Sequence, residues 1–173
     1  AGIGRFEGLT VAFIAHERRP DGAEDARLGT SAYRKAARGM QLAGRLELPL
    51  LSFVDTPGAA TGLDAELSGI SMAIAQNLAP MGHLPAPVIA VITGEAGGAG
   101  ALANCLGDRI LVTEHGLFTL PMVEGALTHP YFLRMKGGLQ TDRSNLLLSL
   151  KARDAHALGA IDRVIPEPEG GAH

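Results

Sequence analysis

Apolar positions along the chain fall into two kinds of spacing. Residues 10–15 (TVAFIA) and 49–55 (PLLSFVD) are short apolar runs bounded by turn residues, and each reads as a buried strand. Between them, over residues 30–46, Tyr33, Ala37, Met40 and Ala43 or Gly44 share one helical face, with Thr30 or Ser31 as the expected N-cap. Over residues 64–78, Leu67, Ile70, Ile74 and Leu78 recur at helical spacing and predict a second helix. Pro80, Pro85 and Pro87 then break the chain before a strand at 88–93. A glycine-rich turn follows over 94–100, and a helix opens over 101–106. Short strands are expected at 109–113, 117–120 and 161–165, and helices at 123–135 and 142–158. Residues 16–29 are polar and charged and read as a surface loop; residues 56–63 read as a Pro/Gly loop.

Repeated strand–helix units predict an α/β fold, a mainly parallel sheet with helices over it. In such sheets ligands sit where loops leave the carboxyl ends of strands. Two loops stand there, one after Asp55 and one after Thr93.

Composition narrows the chemistry. The chain has 173 residues, 46% of them apolar, which suits a single domain spanning residues 1–173 with a real core. Lys and Arg number 15 against 18 Asp and Glu, which argues against an electrostatic nucleic-acid binder. The lone cysteine, Cys105, excludes an internal disulfide and a multi-thiolate zinc site. The best membrane candidate, residues 87–93, is far too short to span a bilayer. No secretion-signal pattern opens the chain, so the expected compartment is the cytoplasm. The six histidines (His16, His83, His115, His129, His156 and His173) form no paired ligand motif, so no metal is expected. There is no G-x-S-x-G nucleophile elbow. The 27 alanines and 23 glycines instead leave much backbone uncovered, as suits chemistry done by amides.

The turn from Gly94 to Gly100 fails as a phosphate loop, because Ala101 and Leu102 follow where a lysine and a hydroxyl are needed. A dinucleotide turn can be forced on Gly98, Gly100 and Ala103, but the acidic residue that should follow is missing. Two readings remain: a tightly packed helix start, or an anion site. A helix start leaves several N–H groups unpaired at the positive end of its dipole, and such amides make an oxyanion hole. In the first loop Pro57 and Gly58 force a turn, and Gly58, Ala59 and Ala60 present bare backbone. Alone, this loop reads as a strand–helix connection. Glu95 offers a carboxylate for acid or base work, and Arg34, Lys35 and Arg38 read as a solvated face.

Taken in order, Gly4-Arg-Phe-Glu-Gly8, Tyr33-Arg-Lys-Ala36, Asp55-Thr-Pro-Gly-Ala59, Ala65-Glu66, Ile92-Thr-Gly-Glu95, Gly98-Ala-Gly-Ala-Leu102, Gly107-Asp-Arg109 and Ile165-Pro-Glu-Pro-Glu-Gly-Gly-Ala-His173 form a pattern. It resembles the carboxyltransferase alpha subunit of bacterial and plastid acetyl-CoA carboxylase over nearly the whole chain. The resemblance implies the crotonase-like (ClpP/crotonase) ββα spiral. It implies an active site shared with a carboxyltransferase beta-type subunit that holds acetyl-CoA, in a hetero-oligomer such as α2β2. It implies that a biotin carboxyl carrier protein delivers carboxybiotin, whose carboxyl group passes to the acyl-CoA to give malonyl-CoA. The negative biotin oxygen would be held by the backbone amides of Ala99 and Gly100, with Gly58, Ala59, Gly97, Gly98 and Ala101 lining the pocket.

Departures from the family pattern shape the expectation. Ala99 replaces the usual glycine, which keeps the N–H and adds a methyl. Leu102 stands where hydratases of the wider group carry glutamate, which speaks against water addition. The loops at 59–69 and 121–136 differ, and the helical start of the alpha subunit is absent, so the chain is expected to be part of a longer chain or heteromer. Two rival readings are a biotin-independent malonyl-thioester decarboxylase and a non-catalytic half that completes a partner's site.

Overall fold

Glu7 and Gly8, both with positive φ (48° and 82°), form the tight turn that folds β1 (Gly2–Phe6) back on β2 (Leu9–Ala15). Two consecutive positive φ values match the right-handed twist of an antiparallel hairpin. In this computed structural model the described residues are 1–16, 27–119 and 150–171. Helix α1 (Thr30–Arg45) leads to β3 (Leu50–Thr56), then come α2 (Leu63–Leu67), α3 (Ile70–Met81), β4 (Val88–Gly97), α4 (Gly98–Cys105), β5 (Arg109–Thr113) and β6 (Leu117–Thr119). After residue 149 come β7 (Leu150–Lys151), α5 (Ala152–Ala157) and β8 (Arg163–Ile165).

The sheet runs β1-β2-β3-β4-β5-β8, and every neighbour after the first pair is parallel. Strand β4 serves two partners: residues 89–92 pair with β5, while residues 95–97 pair with β6, which in turn pairs antiparallel with β7. One face of the sheet carries the helices. Ala12, Ile14, Leu50 and Val88 pack on Ala36, Met40 and Ala43 of α1. Val54, Ala90, Ile92 and Val112 pack on Ala101 and Cys105 of α4 and on Ala152 and Ala155 of α5. Small residues on the helix side let α4 lie close to the sheet, which a longer side chain would prevent.

The mainly parallel sheet with covering helices matches the sequence expectation; several boundaries do not. The hairpin partner β1 was not anticipated. Helix α1 is preceded by Gly29 as N-cap with no side-chain cap; Thr30 Oγ1 instead meets Ser68 Oγ at 2.5 Å. The helix expected over 64–78 is two helices, because Gly69 adopts a left-handed φ of +80° between them. Leu67 is consequently 76% exposed, whereas Ile70 is buried. Pro80 lies in the last turn of α3 rather than before a break. The turn expected over 94–100 is mostly strand, since pairing with β6 carries β4 on to Gly97 and α4 starts at once at Gly98. The helix expected over 142–158 reduces, among the described residues, to α5, preceded by the short strand β7. The helix expected at 123–135 and the diverged loop at 121–136 lie outside the described residues.

Candidate functional site

The turn after β3 is closed by its own hydroxyl. Thr56 Oγ1 donates to the Gly58 carbonyl at 3.0 Å and accepts from the Gly58 N–H at 3.2 Å. Leu28 then clasps the turn from outside: its N–H donates to the Gly58 carbonyl and its carbonyl accepts from the Ala60 N–H, both at 2.9 Å. The amides of Gly58 and Ala60 are thereby spent. Between them, the N–H of half-buried Ala59 makes no turn or loop hydrogen bond to another described residue.

Helix α4 starts without a side-chain cap, from Gly97 in extended conformation and Gly98 at φ +62°. The first N–H groups of a helix have no intrahelical partner and sit at the positive end of its dipole. Those of Gly98, Ala99 and Gly100 make no turn or loop hydrogen bond among the described residues. Ala99 is exposed, Gly98 is half-buried and Gly100 is buried.

Contact between the two turns explains the glycines. A Cβ on Gly97 would run into the Pro57 carbonyl, and one on Gly100 would run into the Ala59 nitrogen and stand 2.5 Å from the Tyr33 hydroxyl. The structure therefore brings together Gly58, Ala59, Gly97, Gly98, Ala99 and Gly100. It places Ala101 with its side chain in the core cluster against the sheet, so only its backbone can face the site. Glu95 sits in β4 beside this region, and its N–H donates to Asp55 Oδ1 at 3.0 Å. Arg34, Lys35 and Arg38 lie on the exposed face of α1, as expected.

Beneath the site lies a polar seam absent from the sequence reading. Asn104 of α4 accepts from Asn77 Nδ2 at 2.9 Å, and its Nδ2 donates to His16 Nε2 at 3.2 Å. Its main-chain carbonyl accepts a short hydrogen bond from Ser52 Oγ. Burial lowers the His16 pKa to about 4, partly countered by Asp55. The ring is therefore neutral at pH 7, with Nε2 as acceptor. Tyr33 of α1 is fully buried and its hydroxyl has no hydrogen-bond partner among the described residues; the sequence showed it only as part of an apolar face. The detectable signal was polar atoms on helix faces that are otherwise apolar.

A separate cavity of about 540 Å³ lies beside the middle of β4 and the end of β5, lined by Thr93, Gly94, Thr113, His115, Glu167 and Gly171. Glu167 holds the tail there, accepting from the His115 N–H at 3.0 Å and lying 3.2 Å from its Nδ1. Ala172 and His173 of the closing motif lie outside the described residues. Among the described residues, no cluster of three or more His, Cys, Asp or Glu could hold a metal ion, and no helix is long and apolar enough to cross a membrane.

A family model described as acetyl co-enzyme A carboxylase carboxyltransferase-like matches residues 1–173. The chain is 39% identical over 178 residues to the acetyl-coenzyme A carboxylase carboxyl transferase subunit alpha of Geobacter sulfurreducens, covering 100% of this chain and 54% of that protein. It is 43% identical over 180 residues to the same subunit of Gemmatimonas aurantiaca, covering 100% of this chain and 55% of that one. The chain thus spans about half the length of the relatives it matches. Among solved structures, a transcarboxylase 12S with methylmalonyl-coenzyme A and methylmalonic acid bound superposes with a TM-score of 0.77 at 24% identity, over 95% of this chain and 32% of that one. A Pseudomonas malonate decarboxylase hetero-tetramer in complex with coenzyme A superposes with a TM-score of 0.78 at 18% identity, over 96% of this chain and 69% of that one. These likenesses show the fold, the crotonase-like α/β architecture.

Proposed function

The chain belongs to the acetyl co-enzyme A carboxylase carboxyltransferase-like family, and on that premise we propose that it is the alpha-type half of a carboxyltransferase acting on an acyl-CoA, with acetyl-CoA converted to malonyl-CoA. The observation that supports this reading is the contact of two bare turns, Gly97 against Pro57 and Gly100 against Ala59, at the uncapped start of α4. Carboxybiotin, brought by a biotin carboxyl carrier protein, supplies the carboxyl group when bound. The amides of Ala99 and Gly100 hold the oxygen on which negative charge develops. Fixed donors aimed at such an oxygen need no reorganisation during the reaction, and one of them is typically worth about 3 kcal/mol. Gly58, Ala59, Gly97, Gly98 and the backbone of Ala101 shape the pocket so that a planar group can approach the amides. The acyl-CoA is held by a beta-type subunit, in a cytoplasmic hetero-oligomer such as α2β2.

The test is the reverse reaction on the complex co-purified with its partners: malonyl-CoA with and without biocytin, following acetyl-CoA release. Release that requires biocytin is the expected result. Release that ignores biocytin assigns the protein to the decarboxylases instead, and no release in either case removes carboxyl transfer to acetyl-CoA.

A further inference from the structure

Helix α1 carries four of the chain's 15 Lys and Arg (Arg34, Lys35, Arg38 and Arg45) and none of its 18 Asp and Glu. A helix face that only meets water usually mixes the two signs, because opposite charges at i,i+4 stabilise it and like charges do the reverse. Here Arg34 and Arg38 stand four apart, and Lys35 and Arg38 three apart. Lys35, Arg38 and Arg45 are exposed and form no ion pair among the described residues. Spacings of 3, 4 and 3 put Lys35, Arg38, Leu42 and Arg45 in one stripe, on the side of α1 opposite buried Tyr33, Ala37 and Met40. At 1.5 Å per residue the stripe is about 15 Å long. Beside it lies an open hollow of about 360 Å³, lined by Lys35, Arg38, Gln41, Leu42, Arg45 and Gly2 of the edge strand, with no described carboxylate in its walls.

Charge and length together select the occupant. The row calls for an anionic partner, and it is too long for a single phosphate to span. A permanent subunit interface is built round an apolar core, whereas here only half-buried Leu42 interrupts the cations. A polar, charged face of this kind suits an acidic protein surface that arrives and leaves, since complementary charge speeds encounter more than it adds affinity. The chain as a whole has a formal net charge of −3, so an acidic partner is repelled elsewhere and steered to this helix. The row also begins beside the candidate site. Tyr33, next to Arg34, abuts Gly100, and Arg34 Nη2 donates to the Ser68 carbonyl between α2 and α3 at 3.3 Å.

We propose that the outer face of α1 is where an acidic face of the biotin carrier protein docks each time its biotinyl group enters the site. This rests on the reading of the chain as half of a biotin-dependent carboxyltransferase. The carrier is the protein partner in that reaction that must come and go at every turnover.

The test combines Lys35→Glu, Arg38→Glu and Arg45→Glu in the heteromeric complex. Acetyl-CoA release from malonyl-CoA is followed with either free biocytin or the biotinyl carrier protein as carboxyl acceptor. The expected result is a KM for the carrier raised about tenfold or more, with kcat on biocytin and KM for malonyl-CoA within about twofold. Added salt should raise the carrier KM of the parent and leave that of the variant nearly flat. The neutral set Lys35→Gln, Arg38→Gln and Arg45→Gln should fall between the two. An unchanged carrier KM overturns the proposal. So does a raised KM for malonyl-CoA with the carrier unaffected, which would make the row a phosphate site. So does dissociation of the heteromer on a sizing column, which would make the face a fixed subunit interface. A parent complex with no biotin-dependent release removes the functional reading, and direct titration of the carrier onto the complex then decides the docking surface. Binding lost in the reversed variant upholds it, and equal binding overturns it.

Discussion

Asn77 Nδ2 donates to Asn104 Oδ1 at 2.9 Å with both side chains fully buried, so a polar bond joins α3 to α4 between two apolar clusters. Asn104 also donates to His16 and accepts from Ser52 through its carbonyl. Helix α4 has eight residues and no side-chain cap, too little to hold itself in place. Its direction, and with it the aim of its first amides, is set by this seam. Asn104→Ala leaves the Asn77 amide and the His16 nitrogen without partners. The expected loss is about 2–4 kcal/mol in denaturant unfolding. A loss near zero would show that packing alone orients the helix.

Ala99→Pro isolates one donor. Proline is tolerated in the first turn of a helix, where its missing N–H has no intrahelical partner anyway. Ala99 is the second residue of α4 and exposed. The expected result is a fall in kcat of about 10²–10³, near 3 kcal/mol, with little change in unfolding midpoint. Steady-state transfer assays on the complex decide it; activity close to that of the parent would take the Ala99 amide out of the chemistry.

Gly100→Ala probes the contact rather than the amide, since the N–H remains. The new methyl must displace the Ala59 turn or the Tyr33 hydroxyl, both within 2.8 Å of its position. The expected result is a loss of about 1–3 kcal/mol in stability, with reduced transfer because the Ala59 amide moves. Calorimetry and turnover should fall together.

What could be read from the sequence was whatever rests on spacing along the chain. The buried face of α1 follows from apolar periodicity, the strands β2 and β3 from short apolar runs, and the two site turns from Pro57, Gly58 and the glycines after Thr93. Pairing between distant segments was not readable. Residues 94–97 look like a turn until β6 comes alongside to make them strand. The antiparallel β1 and the Leu28 clasp on the Ala59 turn are likewise long-range events. Within the site, the glycines were visible as types, but which neighbour made each one necessary was not. Nothing in local spacing tells that Asn77, Asn104 and His16 meet.

Gly69 shows how one backbone angle overrides a periodic pattern. Residues on either side could continue a single amphipathic helix, yet φ +80° at Gly69 separates α2 from α3. No atom lies within 4 Å of where its Cβ would stand, so space is not the constraint. Gly69→Ala should therefore destabilise by about 1–2 kcal/mol through backbone strain alone. Denaturant unfolding checks it; an unchanged or increased stability would mean that residues 64–78 can adopt the continuous helix.

His16 gives the fold a definite pH response. Its pKa is about 4 in the folded chain, against an ordinary value of 6.5. Between those values the unfolded chain binds the extra proton, so stability falls as pH drops from 6.5 toward 4. The contribution is complete above that window and lost below it. The slope reaches about 1.4 kcal/mol per pH unit at most, and the total is on the order of 3 kcal/mol. Protonation also removes the Nε2 acceptor that Asn104 uses, so the seam under α4 loosens in the same range. Chemical denaturation at a series of pH values should show this slope in the parent protein and its absence in His16→Asn. If the two curves run parallel from pH 6.5 to 4, the ring is not held neutral by burial, and the seam does not depend on it.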